Sequence, residues 1–502
     1  MMSSETQKLR IDVDVVPCPG GFELHDRRTG LELEVEVEPG VLDEHGVVLP
    51  GRHEQAVRDF LASVGLLDEG LDDQAIRTRQ RQYLRSTRED RLIESINAAL
   101  AFARDSIPYY RNTHTRRNHP DLASFGEAPL MRKRDVRLRL YDLLPDSLEL
   151  DRGLSEGDLE WTATSGTTDE RLQVVCSMAE VGLPEDCASL WGLQLPPTPR
   201  TAVLTSPTCM GTECHLGHAP YEARIRGQNT LYLNSATDLF SISDDRVRNI
   251  IEEIVQFEPD LLVVNPVYLH WVLLRARALA LPMPRVSAVI STYQYLAQVQ
   301  RRAIEHALRV PVLSMYTATE LAGTRVALSC ARGRLHVLED NVHVEVVPSA
   351  YNLPNGVGHL AITTHSNRVM PLFRYLVGDV GRLVPHDCDC SYGHHPILEI
   401  HGRAKDIISV GERHVTTRML DEAIGTPPGV ELYQCAQIGR RSIELRVVPS
   451  WGERFDEVAL REQVAELCGA RIRLLEVRRL DPAPSLKFPL SENAGFGKAA
   501  GP

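Results

Sequence analysis

A chain of 502 residues, 43% of them apolar and 25% charged, reads as a globular protein too long for one ordinary core, so two or three domains are expected. A net charge of −13 argues against a general nucleic-acid or anionic-membrane surface, and no apolar run approaches the roughly 20 residues that span a bilayer. The stretch Met1–Gln7 has no apolar core and so reads as no secretory signal, which makes a cytoplasmic enzyme the expectation.

In chain order, residues 9–66 read as a small unit. Alternating segments at Ile11–Val16, Phe22–His25 and Leu31–Val37 are separated by glycine turns and followed by a helical pattern over His53–Val64. Leu71–Arg85 is polar and reads as a linker into a helix. Leu92–Ala103 has apolar residues at helical spacing, with Pro108 as the stop, and a second helix is expected within 129–144.

Strand-like and helix-like segments then alternate to about residue 320. The strands are Thr201–Thr205, Leu261–Val264, Ala288–Ser291 and Val310–Ser314; the helices are Val247–Phe257, Val267–Ala280 and Gln298–Leu308. Such alternation predicts a parallel sheet with helices on its faces. Residues 334–400 turn β-rich, and about 100 further residues form a compact mixed unit with strands Leu432–Ile438 and Ser442–Val448 and helix Val458–Leu467. The fold class expected is α/β: a large N-terminal domain of parallel and mixed sheets with a β-rich subdomain, then a small mobile α+β C-terminal domain. The boundaries are 1–75 for an accessory extension, 76–400 for the large domain and 401–502 for the small one.

Within this frame Thr162–Thr168 packs five hydroxyls and one glycine into seven residues. Such a loop can aim hydroxyls and N–H groups at a phosphate, with Gly166 allowing close approach. Taken alone it is equally a polar surface turn, and no Gly-Lys-Ser/Thr follows to make it a Walker loop. Downstream, Ser314–Glu320 follows a strand, so Tyr316, Thr319 and Glu320 would project at a carboxyl strand edge, where α/β sheets bind ligands. Phe373–Asp379 puts one carboxylate on a glycine turn. Gly402–Asp406 opens the last unit, and Gly497-Lys498 lies near the C-terminus.

These motifs, in this order, resemble those of the adenylate-forming superfamily, and within it the phenylacetate–CoA ligase-like branch, from about residue 90 onward. Tyr316–Glu320 resembles its Tyr-Gly-x-Thr-Glu motif, Arg374–Asp379 its Arg-Tyr-x-x-Gly-Asp motif and Gly402–Asp406 its hinge; Pro108–Arg111 and Pro259–Pro266 also resemble the branch. The resemblance implies an ATP-dependent ligase that makes an acyl-adenylate and pyrophosphate, then passes the acyl group to a thiol. The acid would be small and aromatic or similar. CoA is the default acceptor, with a carrier-protein phosphopantetheine or an amine as the alternative. A non-catalytic nucleotide- or partner-binding scaffold is the rival from another class. No nucleic-acid or membrane partner is implied, and homodimerisation stays open.

The resemblance also implies roles. Thr164, Ser165, Gly166, Thr167 and Thr168 would hold the β/γ-phosphates, Thr319 the α-phosphate, and Glu320 Mg²⁺, a hard ion that takes oxygen ligands. Asp379 and Arg403 would meet the ribose and Tyr293 would stack on adenine. Lys498 or Lys487 would neutralise charge during adenylation. Lys405 would mark the hinge, and Gly411 would lie beside the thiol tunnel. Cys330, His336, Cys388 and Cys390 would bind structural Zn²⁺, with His386, His394 or His395 as substitutes. The segment Cys209–His215 would line the acyl pocket. Two departures stand out. The family's Gly-Lys/Arg-Pro after the phosphate loop is replaced by Asp169-Glu170-Arg171-Leu172, with Arg171 as a substitute cation, and the glycine after the motif tyrosine is Thr317.

Overall fold

The computed structural model describes residues 9, 13–18, 21–27, 29, 31–36, 54–67, 71–113, 118–164, 172–178, 187–205, 219–227, 229–233, 239–385, 388–483 and 487–493. The chain divides into two compact units, one of residues 1–91 with Asp387–His394 and one of the remainder.

In the smaller unit, strands Val13–Cys18, Gly21–Asp26 and Leu31–Glu36 form an antiparallel sheet. With helix Glu54–Ser63 it shares a core of Leu24, Val57, Leu61, Val64, Leu66 and Leu67. Residues 71–85, expected as a linker, instead belong largely to helix Asp73–Ser86. Asp72 caps it through Ala75 N–H at 2.8 Å, Ile76 is fully buried, and Gln80 donates to the buried Asp26 at 2.7 Å. A polar sequence was no obstacle, because two buried side chains one turn apart, Ile76 and Gln80, anchor the helix.

The larger unit begins at Leu92, within helix Arg88–Ser106, whose Leu92, Ile93, Ile96, Ala99, Leu100 and Ala103 are buried at helical spacing. The helix ends at Ser106, just before the expected stop at Pro108. That proline stands first in the next helix, Pro108–Thr113, a position whose missing N–H costs nothing.

Among the described residues a 12-stranded sheet dominates this unit. Thr201–Leu204, Leu261–Val264, Ala288–Ser291 and Val312–Thr317 run parallel, in that order. Their continuous apolar runs suit strands covered on both faces. Helix Asp244–Phe257 shows how the covering is encoded: Ser243 caps it, and Val247, Ile250, Ile251, Ile254 and Phe257 face the core. Beyond Val312–Thr317 every pairing is antiparallel, through Arg325–Ser329, Leu335–Val337, Ile397–Arg403, Tyr375–Val384, Gly358–Thr363 and His343–Val347.

The C-terminal segment adds a four-stranded sheet, with Val430–Gly439 paired to Ser442–Pro449 and Ser491–Asn493, and helices Thr417–Ile424 and Glu457–Cys468. Its core takes in Ala297 and Val299, while Leu432, Val448, Leu480 and Phe488 join the core of the parallel strands. The chain is therefore mixed α/β, with a large sheet flanked by helices. No helix of the described residues is long and apolar enough to cross a membrane.

Candidate nucleotide site

Val312–Thr317 is the strand at which the sheet changes from parallel to antiparallel. Its register shifts between Tyr316 and Thr317, so Tyr316 lies within the strand rather than after it. The chain then enters the 3₁₀ turn Thr319–Leu321, released by Ala322 and Gly323 at φ 53° and 89°. The turn leaves Thr319 exposed and draws Glu320 in to 6% exposure.

Asp379, expected on a glycine turn, sits inside strand Tyr375–Val384, directly opposite Arg403. Gly378, at φ 82°, bends that strand without ending it. The Asp379 carboxylate accepts from the Tyr316 hydroxyl at 2.7 Å and meets the Arg403 guanidinium at 2.9 Å. Burial, then the Asp379 charge, pushes the Tyr316 phenol well up, so it remains a donor at neutral pH. The same carboxylate is the main cause of a raised Arg403 pKa. Three residues far apart in sequence thus form one hydrogen-bonded set.

The hydroxyl loop leaves from the hairpin Leu159–Ala163 and Gln173–Ser177. Thr164 N–H donates to the Leu172 carbonyl at 2.9 Å and its Oγ1 accepts from Leu172 N–H at 3.1 Å, which pins both ends of the loop. Ser165, Gly166, Thr167, Thr168, Asp169, Glu170 and Arg171 lie outside the described residues.

Lys133 joins this group, although in sequence it is only one member of the basic run Arg132–Arg139. Its Nζ lies 3.3 Å from Thr164 Oγ1 and 3.8 Å from Glu320 Oε1. The placement follows from a short parallel bridge between Met131 and Tyr375, in which Met131 N–H donates to Arg374 O and Leu376 N–H to Met131 O. A signal was present in the sequence, since Lys133 is the single lysine among the arginines of that run.

On the C-terminal side, Lys487 donates to the Tyr293 carbonyl at 2.8 Å, and Gln294 exchanges hydrogen bonds with the Phe488 backbone. Tyr293 is partly buried and holds φ 69°, unusual for a residue with a Cβ. Lys498 and Cys209–His215 lie outside the described residues. In the segment expected to act as a hinge, Lys405 is exposed and burial pushes Asp406 up to about 6. Gly411 closes the hairpin Ile408–Val410 and Arg413–Val415, with open space where a Cβ would stand.

Cys330 and His336 lie in the larger unit and Cys388 and Cys390 in the smaller one, and each offers one ligand atom of metal-binding type. The turn Cys330–Arg334, closed by Cys330 N–H to Arg334 O at 2.9 Å, precedes His336 on the next strand. A second turn, Gly393 N–H to Cys390 O at 3.0 Å, holds the Cys-x-Cys pair. Of the alternative ligands, His395 lies against Glu339 and Asp340, while His386 is outside the described residues.

No family model matches the chain. Among curated proteins it is similar to a phenylacetate–coenzyme A ligase of Aromatoleum evansii, 25% identical over 185 residues, 36% of this chain and 41% of that protein. The ligase of the same name from Thermus thermophilus is 31% identical over 140 residues, 27% and 32% of the two chains. That from Pseudomonas putida is 22% identical over 346 residues, 66% and 74%. By sequence, then, the chain is similar to phenylacetate–CoA ligases, which are members of the adenylate-forming superfamily. The alignments with the first two of these relatives span less than half of their length. A 2-hydroxyisobutyryl-CoA ligase solved in its postadenylation state with an acyl-AMP has the same fold, at TM-score 0.59 and 14% identity over 78% of this chain and 86% of that one.

Proposed function

We propose that this chain is an acyl-adenylate-forming ligase. It would activate a carboxylic acid with ATP and pass the acyl group to a thiol. The observation that carries the reading is the polar cluster at the strand where the sheet turns from parallel to antiparallel: Tyr316 and Arg403 paired to Asp379, and Thr164 and Glu320 each near Lys133. Asp379 would offer carboxylate oxygens to a ribose diol, and Arg403, paired to it at 2.9 Å, would orient that carboxylate. Glu320 and Thr319 would face a metal–phosphate group, and the loop from Thr164 would surround the terminal phosphates.

In the first step the acid's carboxylate oxygen attacks the α-phosphorus. The new O–P bond forms as the bond to the bridging oxygen breaks, and pyrophosphate leaves with that oxygen's charge. In the second, a thiolate attacks the acyl carbon and AMP departs with the former carboxylate oxygen. Pre-aimed donors stabilise both charge shifts without reorganising at the moment of reaction. Mg²⁺ bound at Glu320 would neutralise phosphate charge. CoA is the acceptor we favour and a small aromatic acid the substrate, since the relatives' names specify both. The terminal Lys498 is proposed as the adenylation lysine, with Lys487 as its alternative.

The test is pyrophosphate release from ATP with a panel of aromatic and aliphatic acids, with and without CoA. Acid-dependent release supports the reading, and acid-independent or absent release removes it. Cys330, His336, Cys388 and Cys390, three thiols and one imidazole, match a closed tetrahedral structural zinc site. Metal analysis of the purified protein is expected to give about one zinc per chain, lost in Cys388→Ser.

A further inference from the structure

We infer that Lys133 is the cation that binds the β- and γ-phosphates of the nucleotide. The inference rests on the proposed adenylating function and assigns a phosphate-binding role to a residue outside the motifs that suggest it. Three observations converge on it. The Met131–Tyr375 bridge fixes the segment before Lys133 to the strand that carries Asp379, so the lysine is held in register with the nucleotide site. Arg374 reinforces this by donating to the carbonyl of Ala128, just upstream.

Its Nζ also stands between the two groups expected to face polyphosphate, 3.3 Å from Thr164 Oγ1 and 3.8 Å from Glu320 Oε1. An ammonium carries three N–H donors. One is directed to Thr164, and the Glu320 oxygen lies beyond hydrogen-bond reach. The side chain is 32% exposed, so a ligand can approach it.

The third observation is charge. Asp379 is already matched by Arg403, whereas Glu320 is buried and its ion-pair partner is Lys133. The loop after Thr164 runs into Asp169-Glu170 in place of the family's lysine or arginine. A triphosphate brought to Thr164 and Glu320 therefore needs a positive charge from elsewhere in the fold, and Lys133 is in place to supply it. A lysine acts there as a compact point charge that can follow the phosphates as pyrophosphate leaves, without the fixed fork of an arginine.

The experiment compares ATP and AMP affinity, by calorimetry with Mg²⁺, in the wild-type chain, Lys133→Met and Lys133→Arg. A charge-assisted contact to the terminal phosphates predicts ATP binding weakened about 10- to 100-fold in Lys133→Met and AMP binding within about twofold of wild type. Lys133→Arg should recover part of the ATP affinity, and thermal melts should match wild type. Unchanged ATP affinity in Lys133→Met, or equal weakening of ATP and AMP, overturns the inference. If the wild-type chain binds ATP and releases pyrophosphate with an acid while Lys133→Met is unaffected, this assignment alone fails. A wild-type chain that binds no ATP removes the proposed function and this inference with it.

Discussion

Asp379 and Asp421 are two buried carboxylates of the same unit, 6% and 2% exposed, and each accepts from a tyrosine hydroxyl at 2.7 Å. Their other partners differ. Asp379 meets Arg403, a half-exposed cation on the neighbouring strand. Asp421 accepts from Tyr433, from Tyr295 at 3.3 Å and from the backbone N–H of Gln298 at 3.1 Å, at the first residue of helix Gln298–Leu308. It thereby ties the C-terminal segment to the start of a helix beside the parallel sheet, where a carboxylate also complements the helix dipole. Burial raises its pKa, with the tyrosine and backbone donors pulling it back. A buried carboxylate is therefore no marker of a ligand site by itself. A sealed ring of neutral donors marks a structural joint, and a partner that reaches solvent marks a place where a ligand can enter.

The largest effect expected from breaking this contrast is at Asp379. Asp379→Asn should lower acid-dependent pyrophosphate release by about 100-fold or more, with a nearly unchanged melting temperature. Asp421→Ala should do the reverse. It strands Tyr433, Tyr295 and Gln298 N–H and should cost about 2–4 kcal/mol of stability in denaturant melts, with release reduced less than about tenfold. If the two variants exchanged phenotypes, the contrast would be wrong.

A smaller effect is expected at Gly402. Gly402 holds φ 108°, and a Cβ there would stand 2.3 Å from Thr417 Oγ1. Gly402→Ala should therefore destabilise by about 1–3 kcal/mol, measured by denaturant melts.

The smallest effects are pH slopes. His401 is buried near Arg418 and Arg382, and burial followed by those charges lowers its pKa to about 4. The unfolded chain takes that proton near pH 6.5, so the contribution of neutral His401 is full above about 6.5 and is lost as pH falls toward 4. Asp406, raised to about 6, acts with the opposite sign: its contribution is full below about pH 4 and lost as pH rises through 6. Melting temperatures from pH 4 to 7 should show His401→Gln losing less stability than wild type on acidification and Asp406→Asn gaining less. Parallel curves would refute both assignments.

Much of this was legible in the residues. Leu261–Val264, Ala288–Ser291 and Gln298–Leu308 form the elements their patterns predict, because apolar period and length agree there with tertiary packing. Tyr316, Asp379 and Arg403 could be picked out because each lies in a short motif, and the fold brings them into hydrogen-bonding contact. Residues 71–85 were harder, since a polar helix and a linker share composition.

By itself, then, the sequence determined the alternating elements, the order of the motifs and the family they indicate, because these depend on residues near one another along the chain. Tertiary structure alone decided that Asp379 lies within a strand facing Arg403, that Lys133 reaches Thr164 and Glu320, and that Asp421 serves the helix at Gln298. Each of those depends on which strands pair and where a bulge or bridge falls. Register of that kind is set by packing between distant segments, and no local pattern carries it.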